Sequence, residues 1–241
     1  MKKNHKKHKK IRIMGLLFLL LFIYLILTLI YYFLKMPIKN INIKGNYILT
    51  DTKIISEANI NYKDSIFKIS TNKIKKDLEK DPLINKAYIK RKLNGTIEIE
   101  IEENKILFLN SLSKKLVLSN GEEIESSNEY IGYPILINYV PSEIYNNLIN
   151  SLSKVDDSNY QMISEIEYSV DKYEDTVIDD ERFLLRMKDG NTIYINLVNL
   201  DKLNKYQEIY SVLEDKGILY LDSSSSNFIF KKYGEDATKQ N

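Results

Sequence analysis

The sequence predicts an α+β protein: an N-terminal transmembrane helix, a β-α-α-β-β unit, and a mixed, mainly antiparallel β domain with flanking helices. Three observations carry this reading. Residues 13–34 form 22 consecutive uncharged positions. Residues 38–103 combine alternating strands with two capped helices. Beyond residue 105, short apolar runs are separated by Asn-Gly and Asp-Gly turns.

The apolar run IMGLLFLLLFIYLILTLIYYFL would make a helix of about 33 Å, enough for one membrane span. Tyr31 and Tyr32 sit where an aromatic belt would meet the interface. The run is longer than a signal-peptide core and no small-residue cleavage motif follows it, so it reads as an uncleaved anchor. Residues 1–34 hold seven of the 35 Lys and Arg and no Asp or Glu. The remainder carries 28 basic and 33 acidic residues, a net charge of −5. This asymmetry predicts a cytoplasmic tail at 1–12, a span at 13–34 and an extracytoplasmic remainder. The basic tail reads as a topology determinant, with no nucleic-acid partner.

The strand pattern of IKNINIK (38–44) ends at a Gly45-Asn46 turn. TDTKIISEA (50–58) reads as a helix capped by Thr50 or Asp51, with Ile54, Ile55 and Ala58 inward. KDSIFKIS (63–70) reads as extended. A second helix, capped by Ser70 or Thr71, runs to Lys80 with Ile74 and Leu78 one turn apart, and Pro82 stops it. A strand follows around Ala87–Arg91. In TIEIEIEE (96–103), Ile97, Ile99 and Ile101 point inward and Glu98, Glu100 and Glu102 outward. These elements bound a first extracytoplasmic domain at 35–104.

A second domain is placed at 105–230. ILFL (106–109), KLVL (115–118), FLLRMK (183–188) and TIYINL (192–197) read as strands, with hairpin turns at Asn120-Gly121 and Asp189-Gly190-Asn191. One helix begins near Ser142 and puts Ile144, Leu148, Leu152 and Val155 on a stripe. Another, at 199–216, aligns Leu200, Leu203, Tyr210 and Leu213 and ends at a Lys216-Gly217 cap. Asp171–Asp180 reads as an acidic loop. YLDSSSSNFIF (220–230) reads as a closing strand, and 231–241 as a disordered polar tail.

The chain has no cysteine, and its two histidines, His5 and His8, lie in the basic tail. Ser-His-Asp triads, Cys-His pairs and imidazole zinc sites are therefore excluded from the extracytoplasmic part. Carboxylate chemistry remains. Glu98, Glu100, Glu102 and Glu103, Asp156-Asp157 and Asp179-Asp180-Glu181 have spacings ordinary for solvated faces and loops. The eighteen tyrosines are scattered and read as packing rather than as a sugar platform. No catalytic residue, cofactor or metal ligand is assigned. The extracytoplasmic part reads as a binder working through a sheet edge, where an extended partner adds a strand. A membrane-anchored cell-wall hydrolase using a carboxylate pair is the alternative.

Taken together, this order of elements resembles the FtsQ/DivIB family of bacterial cell-division proteins. IKNINIKGNYILT resembles the opening strand of the family's POTRA domain, and IFKISTNKIKKDLEKDPLINKAYIKRKLNGTIEIEIEE the rest of it. LVLSNGEEI, MKDGNTIYINLVNLDKLNKYQEIYSVL and YLDSSSSNFIF resemble stretches of its β domain. The resemblance implies a POTRA-type fold for 35–104 and a non-enzymatic division (divisome) protein. It also implies FtsB/DivIC-like and FtsL-like partners and a place at the septum. By matching order, the partner-binding edge is Asp222–Phe230, supported by Lys202 and Tyr206. The partner-binding residues are then Lys202, Tyr206, Tyr220, Asp222, Ser224, Ser226, Phe228 and Phe230. For Phe228 and Phe230, core packing and interface both remain open. Gly45 and Asn46 read as a structural turn or as one that positions a recruitment face.

Overall fold

The computed structural model describes residues 13–223 and 228–234; the tail at 1–12, Ser224, Ser226 and residues 235–241 lie outside these. The chain divides into two compact units, Met1–Glu103 and Asn104–Asn241.

In the first unit, α1 (Ile13–Leu34) is one helix long and apolar enough to cross a membrane. It is followed by β1 (Asn40–Lys44), α2 (Asp51–Glu57), α3 (Thr71–Leu78), β2 (Ile84–Arg91) and β3 (Thr96–Glu103). The sheet order is β1-β3-β2, with β1 parallel and β2 antiparallel to the central β3. Strict alternation in β3 buries Ile97, Ile99 and Ile101 against Ile54, Ala58, Ile74 and Leu78 of the helices. Thr50 caps α2 and Ser70 caps α3, each side-chain oxygen accepting from the backbone N–H three residues on. Residues 63–70 are not a strand. They form turns with a single bridge between Ser65 and Pro37.

The turn after β1 has a specific anchor. Gly45 has φ +83°, and a Cβ there would lie 2.1 Å from the Ile101 carbonyl oxygen, so no other residue fits. Asn46 donates through Nδ2 to the Leu49 carbonyl (2.9 Å) and to Asp51 Oδ1 (2.8 Å). The N–H groups of Tyr47, Ile48 and Leu49 all donate to the Glu103 carboxylate, at 2.9, 2.7 and 2.9 Å. Glu103 therefore ties the last residue of β3 to the turn beside the first strand. The alternating pattern had grouped it with solvated glutamates.

The second unit is built on a nine-stranded sheet. Its strands are β4 (Ile106–Asn110), β5 (Lys115–Leu118), β6 (Glu123–Glu125), β7 (Ile135–Leu136), β8 (Ile163–Tyr168), β11 (Arg182–Met187), β12 (Thr192–Asn196), β13 (Gly217–Tyr220) and β14 (Ile229–Lys232). They lie in the order β14-β13-β12-β11-β8-β7-β4-β5-β6, and five of the eight pairings are antiparallel. One face packs on α4 (Ser142–Leu152), the short α5 (Asp157–Tyr160) and a 3₁₀ segment, Leu197–Lys205, around a core that includes Phe108, Leu148, Phe183, Ile193 and Leu203.

Several sequence expectations change here. The helix expected at 199–216 is the 3₁₀ segment followed by α6 (Tyr206–Ser211); Asn196 caps it, and Tyr210 is exposed rather than part of a buried stripe. Gly217 is not a helix cap but the first residue of β13. The acidic stretch 171–180 folds as a two-stranded hairpin, β9 (Asp171–Tyr173) and β10 (Thr176–Asp179), turned by Glu174 at φ 53°. Strands β6, β7 and β8 and helix α5 carried too few periodic residues to be read. The closing strand extends to Lys232, two residues past the expected domain end.

Replacing Glu103 with Gln should destabilise the first unit by about 2 kcal/mol, because an amide can accept from only part of a three-donor set. Thermal unfolding followed by circular dichroism checks it. A second prediction concerns pH. Burial, and then Asp81 beside it, hold the Glu57 carboxyl above the ordinary carboxylate range. Asp81 is held below it: burial opposes this, but the Lys53 ammonium at 2.9 Å and the Leu83 N–H at 2.9 Å outweigh it. A raised folded pKa means that ionising Glu57 costs stability as pH rises through that pKa. Glu57→Gln should therefore raise the unfolding midpoint at neutral pH. The advantage should vanish as pH falls below the ordinary glutamate pKa of about 4.3, where Glu57 is itself protonated.

Candidate partner-docking edge

Two strands end the large sheet, β6 and β14, and the expected docking residues gather at the β14 end. What places β14 there begins in the β11–β12 turn. Asp189 Oδ1 accepts from the Asn191 N–H at 2.9 Å, and Gly190 takes φ +95°. This turn aims Asn191 into the interior, where it is 2% exposed. Its Nδ2 donates to the Tyr206 hydroxyl (3.2 Å), and its Oδ1 accepts from the Gly217 N–H (3.0 Å). Tyr206 Oη donates in turn to Asp189 Oδ2 at 2.5 Å. Burial, and then that hydrogen bond, hold the Tyr206 phenol far above the ordinary tyrosine range. The group is a fixed neutral donor.

Gly217 is the other determinant. A Cβ at this position would stand 2.1 Å from the Lys231 carbonyl oxygen and 2.8 Å from the Phe230 ring. Only glycine lets β14 approach and lets Phe230 close over the end of β13. The antiparallel register is Gly217↔Lys232, Ile218↔Lys231, Leu219↔Phe230 and Tyr220↔Ile229. Just beyond the strand, Tyr233 Oη hydrogen-bonds Thr192 Oγ1 (2.7 Å), and Lys232 at the strand's end pairs with Asp215 (2.7 Å).

The segment 220–230 is thus not one strand. Tyr220 ends β13, Leu221–Ser223 leave the ladder, and Ile229 opens β14. The physical reason lies in the 3₁₀ segment. Lys202 Nζ donates to the carbonyls of Leu221 and Ser223, while the amides of Asn196 and Asn199 donate to the Asp222 carbonyl at 3.2 Å each. The Asp222 carboxylate lies 2.9 Å from Arg182 Nε. These groups hold the chain off the strand path and turn it into a hairpin connection.

Three of the eight expected docking residues have partners within the chain. Tyr206 is fully buried and supports the edge from within. Asp222 is engaged by Arg182, and Lys202 fixes the connection. Ser224 and Ser226 lie outside the described residues. Phe230 packs against the rim of the core. Phe228, 38% exposed, precedes β14, and the outward apolar residue of the edge is Ile229, 57% exposed. Ile229 was not among the expected residues, and the choice left open for the phenylalanines falls on core packing for Phe230.

Beside Ile229 runs an aromatic row on the solvent face of the sheet. The Arg182 guanidinium lies over Tyr194 (4.0 Å), Tyr194 stacks on Tyr220 (5.4 Å, 18°), and Lys231 Nζ lies 5.4 Å from the Tyr220 ring. Among the described residues no strand pairs with the far side of β14. The acids once considered for catalysis are spread through structural contacts: Glu98 pairs with Lys92, Glu103 holds its turn, Asp157 pairs with Lys105 and Asp179 accepts from Asn196.

Comparison with known proteins bears on this architecture. Residues 36–104 match the model of the POTRA domain, FtsQ-type, and residues 108–224 match that of the cell division protein FtsQ/DivIB C-terminal region. Cell division protein DivIB of Bacillus subtilis (strain 168) is 30% identical over 230 residues, covering 91% of this chain and 83% of the relative. The chain belongs to the FtsQ/DivIB family of cell-division proteins. DivIB of Bacillus cytotoxicus is 26% identical over 99% of this chain and 94% of its own length, and DivIB of Brevibacillus brevis is 28% identical over 84% and 79%. The solved major extracytoplasmic domain of DivIB from Geobacillus stearothermophilus aligns at TM-score 0.37 and 18% identity, covering 47% of this chain and 96% of that domain. Along the chain the POTRA match precedes the C-terminal match, and β14 follows the last matched residue.

Substituting Gly217 with Ala should push β14 away from β13 at a cost of about 1–3 kcal/mol. Hydrogen exchange should show faster amides at residues 229–232, with β11 and β12 unchanged.

Proposed function

We propose that this FtsQ/DivIB protein is a non-enzymatic assembly factor of the division machinery. It holds FtsB/DivIC-like and FtsL-like partners for septal peptidoglycan synthesis by accepting an extended segment of a partner along β14. The observation that carries this reading is the geometry of β14: a terminal strand of a nine-stranded sheet, with an outward isoleucine next to a stacked tyrosine row. A free strand side offers N–H and C=O groups for main-chain pairing, and alternate side chains supply selectivity. Ile229, Tyr220 and Phe228 form the apolar contact, and Lys231 favours an acidic residue opposite it. The charge asymmetry across α1 supports an N-terminus in the cytoplasm and both folded units outside, and membership of a cell-division family supports a place at the septum, with the POTRA unit serving recruitment.

The test is co-purification of the full chain with an FtsB/DivIC-like partner. Ile229→Asp should weaken binding at least tenfold, about 1.4 kcal/mol, and leave the unfolding midpoint unchanged. Phe228→Asp should act the same way more mildly. Phe230→Asp should lower the midpoint as well, since that ring packs on the core. Undiminished binding by Ile229→Asp would place the partner elsewhere.

A further inference from the structure

The first unit has unlike ends. The entry end, where the chain leaves α1, comprises the start of β1, the loop 61–68 and the β2–β3 turn. The Ile38 N–H donates to Asp64 O (3.3 Å), Lys39 N–H to Gly95 O (2.8 Å), and Arg91 Nη1 to Phe67 O (3.2 Å). Because β1 and β3 are parallel and β2 is antiparallel, this end holds residues 39–40 and 91–96 together. Lys39, Lys63, Lys68, Arg91 and Lys92 are all exposed there, against Asp64 in the loop and Glu98, which pairs with Lys92. Tyr62 and Leu93 are exposed beside them, at 49% and 69%. The opposite end mixes Asp51, Asp81, Glu102 and Glu103 with Lys44, Lys53 and Lys86, and Lys53 pairs with Asp81 at 2.9 Å.

The entry end is also joined to the last turn of α1 by more than the chain. Phe33 of α1 packs on Phe67, ring centroids 4.7 Å apart. The Ser65 hydroxyl donates to the Leu34 carbonyl, and the Ile66 N–H to the Met36 carbonyl at 3.0 Å. Lys35 bends back over the Tyr31 ring, its ammonium 4.3 Å from the centroid, as an interfacial lysine does. Three residues between the helix and Ile38, bridged to the loop 64–66, leave little freedom to swing.

From this juxtaposition we propose that the entry end of the POTRA unit is a binding surface for anionic phospholipid headgroups, with the loop 61–68 and the β2–β3 turn resting on the bilayer. The proposal rests on α1 spanning the membrane and is independent of the β14 edge. Phe67 lies at the level of the last turn of the span, so Tyr62, Lys63 and Lys68 fall within reach of the headgroup layer. An amphipathic tyrosine, an exposed leucine and a cluster of cations on one end match an anionic interface.

The chain contains no cysteine, so single labels are unambiguous. The full chain is placed in vesicles containing phosphatidylglycerol and a headgroup-nitroxide lipid, with a fluorophore on Leu93→Cys or, at the far turn, on Tyr47→Cys. Quenching at position 93 should exceed that at 47 by at least about two-fold, and the excess should fall at about 0.5 M salt, where charges more than a few ångströms apart are screened. It should also fall in phosphatidylcholine vesicles and in Lys63→Glu/Lys68→Glu, whose exposed sites leave circular dichroism unchanged. Equal quenching at the two ends would overturn the proposal, as would quenching at 93 indifferent to lipid charge and to the charge reversal. A label on Met36→Cys that escapes quenching would overturn the membrane placement on which it rests.

Discussion

The amide of Asn191 fixes where the last two strands of the β unit can lie. Its oxygen accepts from Gly217 at the start of β13, and its nitrogen donates to Tyr206 at the start of α6. One buried side chain thus joins the β11–β12 turn, the crossover and the new strand. Buried polar groups without partners cost about 1–3 kcal/mol each, so the set of Asp189, Asn191, Tyr206 and Gly217 N–H is stable only when complete. That requirement fixes the register of β13, and the register places the bare backbone of Gly217 under Phe230. The β14 edge is therefore the end product of a hydrogen-bond set that itself touches no partner.

An open sheet edge also has to avoid pairing at random. Long apolar edges recruit other chains, and short charged ones resist them. Both ends of this sheet are short, β6 with three residues and β14 with four. They differ in chemistry. β6 presents Glu123 and Glu125 around a half-buried Ile124, which opposes any acidic or apolar strand. β14 combines one outward isoleucine with Lys231 and Lys232, the latter held by Asp215. The lysines discourage self-association while the isoleucine and the Tyr220 face leave an apolar contact for a matched segment. The two edges thus differ: β6 is guarded by charge, whereas β14 keeps one apolar side chain outward.

Much of the architecture was legible because period and capping agree. Ile97, Ile99 and Ile101 alternate without interruption, and Thr50 and Ser70 precede their helices as caps. Where the reading failed, tertiary contacts decided. Nothing local announces that the Asn196 and Asn199 amides and the Lys202 ammonium will hold the carbonyls of Leu221, Asp222 and Ser223 and so break a strand at Tyr220. Glu103 follows three outward glutamates in an alternating run, yet its partners lie more than fifty residues away in sequence. Tyr206 was named from the family resemblance alone, and the 3₁₀ turns that precede it bring it into the core. The described ones among the eight expected docking residues gather at the β14 end of the sheet, but contacts the sequence does not display decide which of them are buried and which exposed.

The same contrast explains why the two glycines with the tightest surroundings matter in different ways. At Gly45 the backbone is left-handed and the Ile101 carbonyl blocks a side chain, so glycine is required twice over, by conformation and by space. The turn it makes then aligns three N–H groups on one carboxylate, which no helix or strand would do. At Gly217 the backbone is ordinary and only the space is constrained. Glycine there costs strand propensity and leaves the end of β13 with no side chain to pack. Phe230 fills that gap from the neighbouring strand. A weak point in β13 is thereby converted into the contact that orients β14, with Phe230 turned to the core and Ile229 consequently turned outward. The alternation of a two-residue period does the rest: burying one of these side chains presents the other.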